Sequence, residues 1–203
     1  VMQTIASERP PEQQPDRMPW FVFAHSMGGL IVLNAMVREL LPFEVRGFVL
    51  SGPLLRVAVP TPAIKVWLGK VAAVLAPRLT LPSGIPPESI CRDEEEVQRY
   101  AADERGVGVV SARWFQKMNQ AIARVQAGLE GITSPLLWYV GTDDRICDHT
   151  ASVEAFEKLA DPEAHDQTLR TFEGYFHELH NEPPELRAPV IEMVQQWIRE
   201  RSS

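Results

Sequence analysis

A serine set among small residues, where a short apolar run meets a helical pattern, is the feature of this chain best suited to covalent chemistry. Ser26 lies in Phe23-Ala24-His25-Ser26-Met27-Gly28-Gly29. A serine at such a turn takes a strained backbone conformation that lifts its hydroxyl above a sheet. The helix start behind it offers backbone N–H groups to a developing oxyanion, and the Met27 N–H is the donor so placed. Helix and strand approach closely only if the residues two positions either side of the serine are small, and Ala24 and Gly28 meet that need. The pattern is G-x-S-x-G with alanine for its first glycine, a change that fits sterically. A serine at a helix start also serves as a plain N-cap. The strand pattern before Ser26 and the helical one after it favour the nucleophile.

A serine hydroxyl is a poor nucleophile until a positioned base takes its proton. On a sheet of this kind the partners follow in chain order serine, acid, histidine. Five histidines are available: His25, His149, His165, His177 and His180. His25 adjoins the serine, so its ring points elsewhere and packs. His149 begins a helix and His165 lies in a charged loop, both expected in solvent. His177 and His180 follow the last predicted strand, where a loop leaving the sheet could bring a base to Ser26. The acid belongs just past the preceding strand, in Gly141-Thr142-Asp143-Asp144-Arg145-Ile146. A carboxylate there holds the imidazole tautomer and stabilises the imidazolium. Asp143, Asp144 and Asp148 compete for that role, and Asp/Gly clusters also make ordinary turns.

The elements that must position these groups are legible from period and punctuation. Residues 19–24 are continuously apolar, the mark of a strand buried on both faces of a parallel sheet. Apolar residues at helical spacing predict a helix over 27–41, stopped by Pro42. A strand over 45–50 ends in Ser51-Gly52-Pro53. Residues 53–132 are proline-rich, with helical patterns at 63–75, 93–102 and 112–129 and no convincing strand, which fits a helical insertion. A strand over 135–141, a helix over 151–159, a strand over 167–172 and a helix over 184–200 follow. Strands alternating with helices predict an α/β fold with a mostly parallel sheet flanked by helices.

Composition bounds the partners. The chain has 203 residues, enough for one domain with a real core, and a net charge of −7. That charge argues against nucleic acid, because no basic field replaces phosphate counterions. No apolar run reaches the roughly 20 residues of a membrane-spanning helix, and the polar, proline-rich start is no secretory signal. Two isolated cysteines, Cys91 and Cys147, read as reduced thiols of a cytoplasmic protein. Cys147 lies three residues after Asp144, where packing is the expected role. Nothing in the sequence sets an oligomeric state.

Three motifs in order resemble the monoacylglycerol lipase / lysophospholipase family of α/β-hydrolases: His25-Ser26-Met27-Gly28-Gly29, Gly141-x-x-Asp144-Arg145-Ile146-Cys147-Asp148, and Glu173-Gly174-Tyr175-Phe176-His177-Glu178-Leu179-His180-Asn181-Glu182. The stretch from Ser89-Ile90-Cys91-Arg92-Asp93 to Ser111-Ala112-Arg113-Trp114 is similar to that family's cap. The resemblance makes Ser26 the nucleophile, Asp144 the acid and His177 the base. It implies hydrolysis of one acyl chain from a monoglyceride or lysophospholipid, with no metal or organic cofactor. It divides the chain into core residues 1–52 with the nucleophile turn, a helical cap over 53–132, and core residues 133–203 with acid and histidine. Thioesterase or peptidase chemistry on the same fold is the related alternative, and an inactive remnant the other. The helix over 63–75, apolar but for Lys65 and Lys70, would wall an acyl tunnel or touch a membrane or micelle surface transiently. The protein would then be cytoplasmic or peripheral to a membrane.

One departure stands out. Family members carry several strands and a His-Gly oxyanion loop before the nucleophile strand, whereas only about twenty residues precede it here. The chain is therefore expected to be an N-terminally truncated piece of a longer hydrolase. It would lack its second oxyanion donor, a loss worth about 100- to 1,000-fold in turnover. The Ser26 strand would become an apolar sheet edge.

Overall fold

Runs that are apolar at every position must be covered on both faces, and the architecture follows from that demand. The computed structural model describes residues 19–41, 44–58, 76, 78–104 and 108–202. In chain order the elements are β1 (Phe21–His25), α1 (Met27–Met36), β2 (Gly47–Ser51), β3 (Thr80–Pro82), α2 (Glu94–Ala102), β4 (Val109–Ser111), α3 (Ala112–Gly128), β5 (Leu136–Gly141), α4 (His149–Phe156), β6 (Gln167–Phe172) and α5 (Pro184–Glu200). Among the described residues the main sheet runs β1-β2-β5-β6, with every pairing parallel. The fold is α/β, with the parallel sheet flanked by helices.

Alternation along the central strands sorts the core into two layers. Phe48, Leu50, Leu136, Trp138 and Val140 face one side, where they meet Leu30 and Leu33 of α1, Met118 and Val125 of α3, and Ala151 and Ala155 of α4. Val49, Leu137 and Tyr139 face the other side, against Val190 and Trp197 of α5 and Leu179. All five residues of β2 and all six of β5 are buried. Each large side chain so covered contributes about 1.5–3 kcal/mol relative to exposure. β1 stands at the sheet edge among the described residues, with Phe23 51% exposed.

The structure departs from the expected elements most in two places, and α4 also runs His149–Phe156 rather than 151–159. β3 and β4 pair as an antiparallel ribbon within a stretch read as free of strands. Each is three residues long, too short to show a period, and β3 ends on a proline. The second departure is in α1, which stops at Met36 rather than Leu41. Glu39 takes φ 52° and Leu40 N–H reaches back to Ala35 O at 3.0 Å, so the chain turns before Pro42. α2 and α3 begin at side-chain caps: Asp93 accepts from Glu95 N–H and Glu96 N–H, and Ser111 from Trp114 N–H. The helix expected over 63–75 and the helix tail expected before Pro10 lie outside the described residues. Among the described residues no helix is long and apolar enough to cross a membrane.

Candidate active site

Ser26 sits between the end of β1 and the start of α1, with φ 53° and ψ −119°. A non-glycine residue there stores about 1–3 kcal/mol of strain and holds it only where the surroundings dictate the backbone. Three hydrogen bonds dictate it here. Ser26 N–H donates to Ser51 O at 2.9 Å, and Ser26 O accepts from Leu54 N–H at 3.0 Å and Leu30 N–H at 3.3 Å. The turn is thereby tied to the end of β2 as well as to its own helix. A Cβ at Gly28 would lie 4.0 Å from that of Ala24, ordinary contact, so alanine is accommodated in the motif's first position.

The end of β5 delivers the carboxylate. Asp144 is buried, and its Oδ1 accepts from Ile146 N–H and Cys147 N–H, each at 2.8 Å. Its Oδ2 lies 2.7 Å from His177 Nδ1. His177 is 3% exposed and arrives on the loop after β6. That loop is drawn against β5 because Gly141 has no side chain. A Cβ there would meet Tyr175 O at 2.2 Å and Phe176 O at 2.6 Å. Gly52 completes the enclosure with φ 48°, its missing Cβ leaving room 3.3 Å from His177 Nδ1 and 3.5 Å from Asp144 Oδ2. In the sequence that glycine reads as an ordinary turn residue; only the packing gives it a place in the site.

Cys147 joins the two halves. Its sulfur and ligand atoms of Asp144 and His177 all lie within 4.8 Å of one another. Burial pushes the thiol well above its usual range and the Asp144 carboxylate adds to the rise, while a hydrogen bond with the Ser26 side chain works the other way. Serine, thiol, carboxylate and imidazole are thus contiguous. The same trio of Asp144, Cys147 and His177 has the donor types of a metal centre. Both Asp144 oxygens already accept hydrogen bonds, His177 Nδ1 is turned to Asp144 Oδ2, and burial holds the thiol protonated, so the set is poorly suited to a cation.

The remaining candidates fall elsewhere. Asp143 is exposed, with its N–H on Tyr175 O at 3.0 Å. Asp148 caps α4 through Thr150 N–H and pairs with Arg56 at 3.0 Å. His149 is the first residue of α4 and His165 lies in the loop before β6, both half-buried rather than fully in solvent. Cys91 and Cys147 are both free and buried.

His25 packs, but against the site itself rather than elsewhere on the turn. Its ring centroid is 4.6 Å from that of His177 and 5.1 Å from that of His180, and its Nδ1 lies 3.2 Å from Ser51 Oγ. Burial, then charge on His177 and His180, pushes it down to about 3. The folded protein therefore keeps His25 neutral where an unfolded chain would protonate it. Its contribution to stability is complete above about pH 6.5 and is lost as the pH falls toward 3, at about 1.4 kcal/mol per pH unit. Urea unfolding between pH 7 and 4 is expected to show the native chain losing stability faster than His25→Gln. Parallel slopes for the two proteins would refute this.

A family model described as serine aminopeptidase, S33, matches residues 2–184. The chain belongs to that family. Among its relatives, the monoglyceride lipase of Mus musculus is 34% identical over 191 residues, covering 92% of this chain and 60% of that one. Phospholipase YtpA of Bacillus subtilis is 29% identical over 167 residues, covering 82% and 63%. This S33-family chain thus spans about 60% of the length of the curated relatives it matches. The crystal structure of Paleococcus ferrophilus monoacylglycerol lipase superposes with TM-score 0.83 at 28% identity, covering 99% of this chain and 73% of that one. The monoglyceride lipase of Saccharomyces cerevisiae, solved with a substrate analog, gives 0.83 at 21% identity, covering 100% and 68%, and speaks for the fold.

Proposed function

We propose that this chain carries the acyl-transfer centre of a carboxylic-ester hydrolase for single-chain lipids, monoacylglycerol or lysophospholipid. Ser26 is the nucleophile, His177 the general base and Asp144 the carboxylate that orients it. One observation carries the reading: a strained serine at a strand-to-helix turn lies against Cys147, whose sulfur is within 4.8 Å of a buried Asp144–His177 pair that is itself 2.7 Å apart. Ser26 Oγ attacks the ester carbonyl as His177 Nε2 takes its proton, and the imidazolium returns that proton to the departing alcohol. Asp144 keeps the other proton on Nδ1 throughout. The Met27 N–H, at the positive end of α1, steadies the oxyanion. Water activated by His177 then clears the acyl-enzyme.

Substrate class rests on the relatives, named for monoglyceride and phospholipid hydrolysis. Residues 1–52 and 133–203 would form the catalytic core and 53–132 the cap, whose 63–75 segment would meet acyl chains or a lipid surface. The family's description favours a second reading, cleavage of an aminoacyl amide, which follows the same covalent path. A fluorophosphonate probe with peptide mapping tests the chemistry, and the expected result is one adduct, on Ser26. A folded protein that takes no label would return it to the non-catalytic class. Turnover of monoolein, lysophosphatidylcholine, an acyl thioester and an aminoacyl amide then decides the substrate, with the two lipid esters expected to lead.

A further inference from the structure

Glu182 is a carboxylate with no part in the reaction above, yet it is fully buried at 0% exposure. Leu179–Asn181 forms a single helical turn that folds the chain back, so the Glu182 side chain returns toward the residues ahead of His177. Its Oε1 accepts from Phe176 N–H at 2.8 Å and from Arg92 Nη1 at 3.1 Å, and its Oε2 accepts from Arg92 N–H at 2.9 Å. Every group facing it is a donor. Only a carboxylate, which accepts at both oxygens, satisfies such a site.

The clamp reaches further through Arg92. Its Nη2 donates to Gly174 O, and its guanidinium lies 4.2 Å from the centre of the Phe176 ring. Arg145, the residue after Asp144, lies 4.1 Å from the same ring centre. Glu178 N–H donates to Ile90 O at 2.7 Å, adding a backbone tie to the same segment. Phe176 and Glu178, the neighbours of His177 on either side, are thus both held by segment 90–92, and the ring of Phe176 is braced from the Asp144 loop as well.

We propose that Glu182, with Arg92 as its counter-ion, is a positioning residue that fixes the His177 imidazole on Asp144. The proposal rests on the reading of His177 as the base, and it adds the device that sets the aim of the ring. Reacting groups misplaced by about 1 Å lose on the order of 100-fold in rate. A loop carrying a base by its backbone alone has that much freedom. Glu182→Gln puts an amide N–H against one of the facing donors and leaves the Arg92 guanidinium without its counter-ion, so the register of Phe176 relaxes.

Two readouts on the 203-residue chain test this. One is the rate of fluorophosphonate labelling at Ser26. The other is the far-downfield proton NMR signal of the His177 Nδ1–H on Asp144, identified by its loss in His177→Gln, which requires no catalysis. Glu182→Gln is expected to slow labelling about 100-fold and to shift or broaden the proton signal. Arg92→Lys keeps the positive charge but drops the second prong on Gly174 and the guanidinium over Phe176, and should give a smaller change in the same direction. A folded Glu182→Gln with native labelling rate and native proton signal overturns the proposal. If Glu182→Gln does not fold, Arg92→Lys decides by the same two readouts. Failure of the hydrolase reading looks different: the native chain takes no label, while the proton signal is present and still moves in Glu182→Gln.

Discussion

Alanine at position 26 is expected to abolish fluorophosphonate labelling and to cut ester turnover by about a million-fold, without unfolding the protein. The size follows from the covalent route, which is closed once the hydroxyl is removed. The fold should survive because alanine keeps the Cβ and therefore the same strained φ of 53°. Backbone ties to Ser51, Leu54 and Leu30 are main-chain bonds that the substitution leaves in place. Glycine makes a sharper control. It too removes the nucleophile, but it relieves about 1–3 kcal/mol of strain, so Ser26→Gly should melt above Ser26→Ala. Active-site titration and thermal melts on the two variants read both effects. Residual labelling in Ser26→Ala would show that Ser26 is not the nucleophile.

Asp144→Asn is expected to lower kcat by about 10,000-fold with little change in stability. The reason lies in how the carboxylate is gripped. Two backbone donors, Ile146 N–H and Cys147 N–H, converge on Oδ1. In the variant they must receive the amide oxygen, which leaves the amide NH2 facing His177 Nδ1. An imidazole whose Nδ1 accepts a hydrogen bond carries its proton on Nε2, the atom required to take a proton from Ser26. The geometry survives and the base is lost. Steady-state kinetics on a short-chain ester reads this, and a fall of less than tenfold would mean that the tautomer is not controlled from Asp144. Asp143→Asn, at the exposed neighbour, serves as the control and should be nearly silent.

Much of the fold is written in local pattern. β6 and α5 begin and end where the sequence predicts, at Gln167–Phe172 and Pro184–Glu200, because alternation, prolines and helical period all speak there. Length is less legible than type. The apolar spacing that predicts α1 continues to Leu41, yet the helix ends once Glu39 enters the left-handed region, a local backbone choice that no periodicity encodes. β3 and β4 are stabilised by each other and have no pattern of their own.

The site divides the same way. The types and order of Ser26, an aspartate after one strand and a histidine after the next are properties of the sequence alone. Their chain order is the one that the resemblance to α/β-hydrolases implies. The residues left Asp143, Asp144 and Asp148 as alternatives, and His177 and His180 likewise. Which of these meet depends on distances between segments far apart in the chain: Gly141 admitting the Tyr175–Phe176 backbone, Gly52 leaving space beside the imidazole, and Glu182 drawing Phe176 toward Arg92. The sequence by itself determined that Ser26 stands at a turn fit for a nucleophile. That Asp144 rather than Asp143 or Asp148 pairs with His177 is a matter of tertiary packing, because contacts between remote segments select one pairing where local pattern offers several.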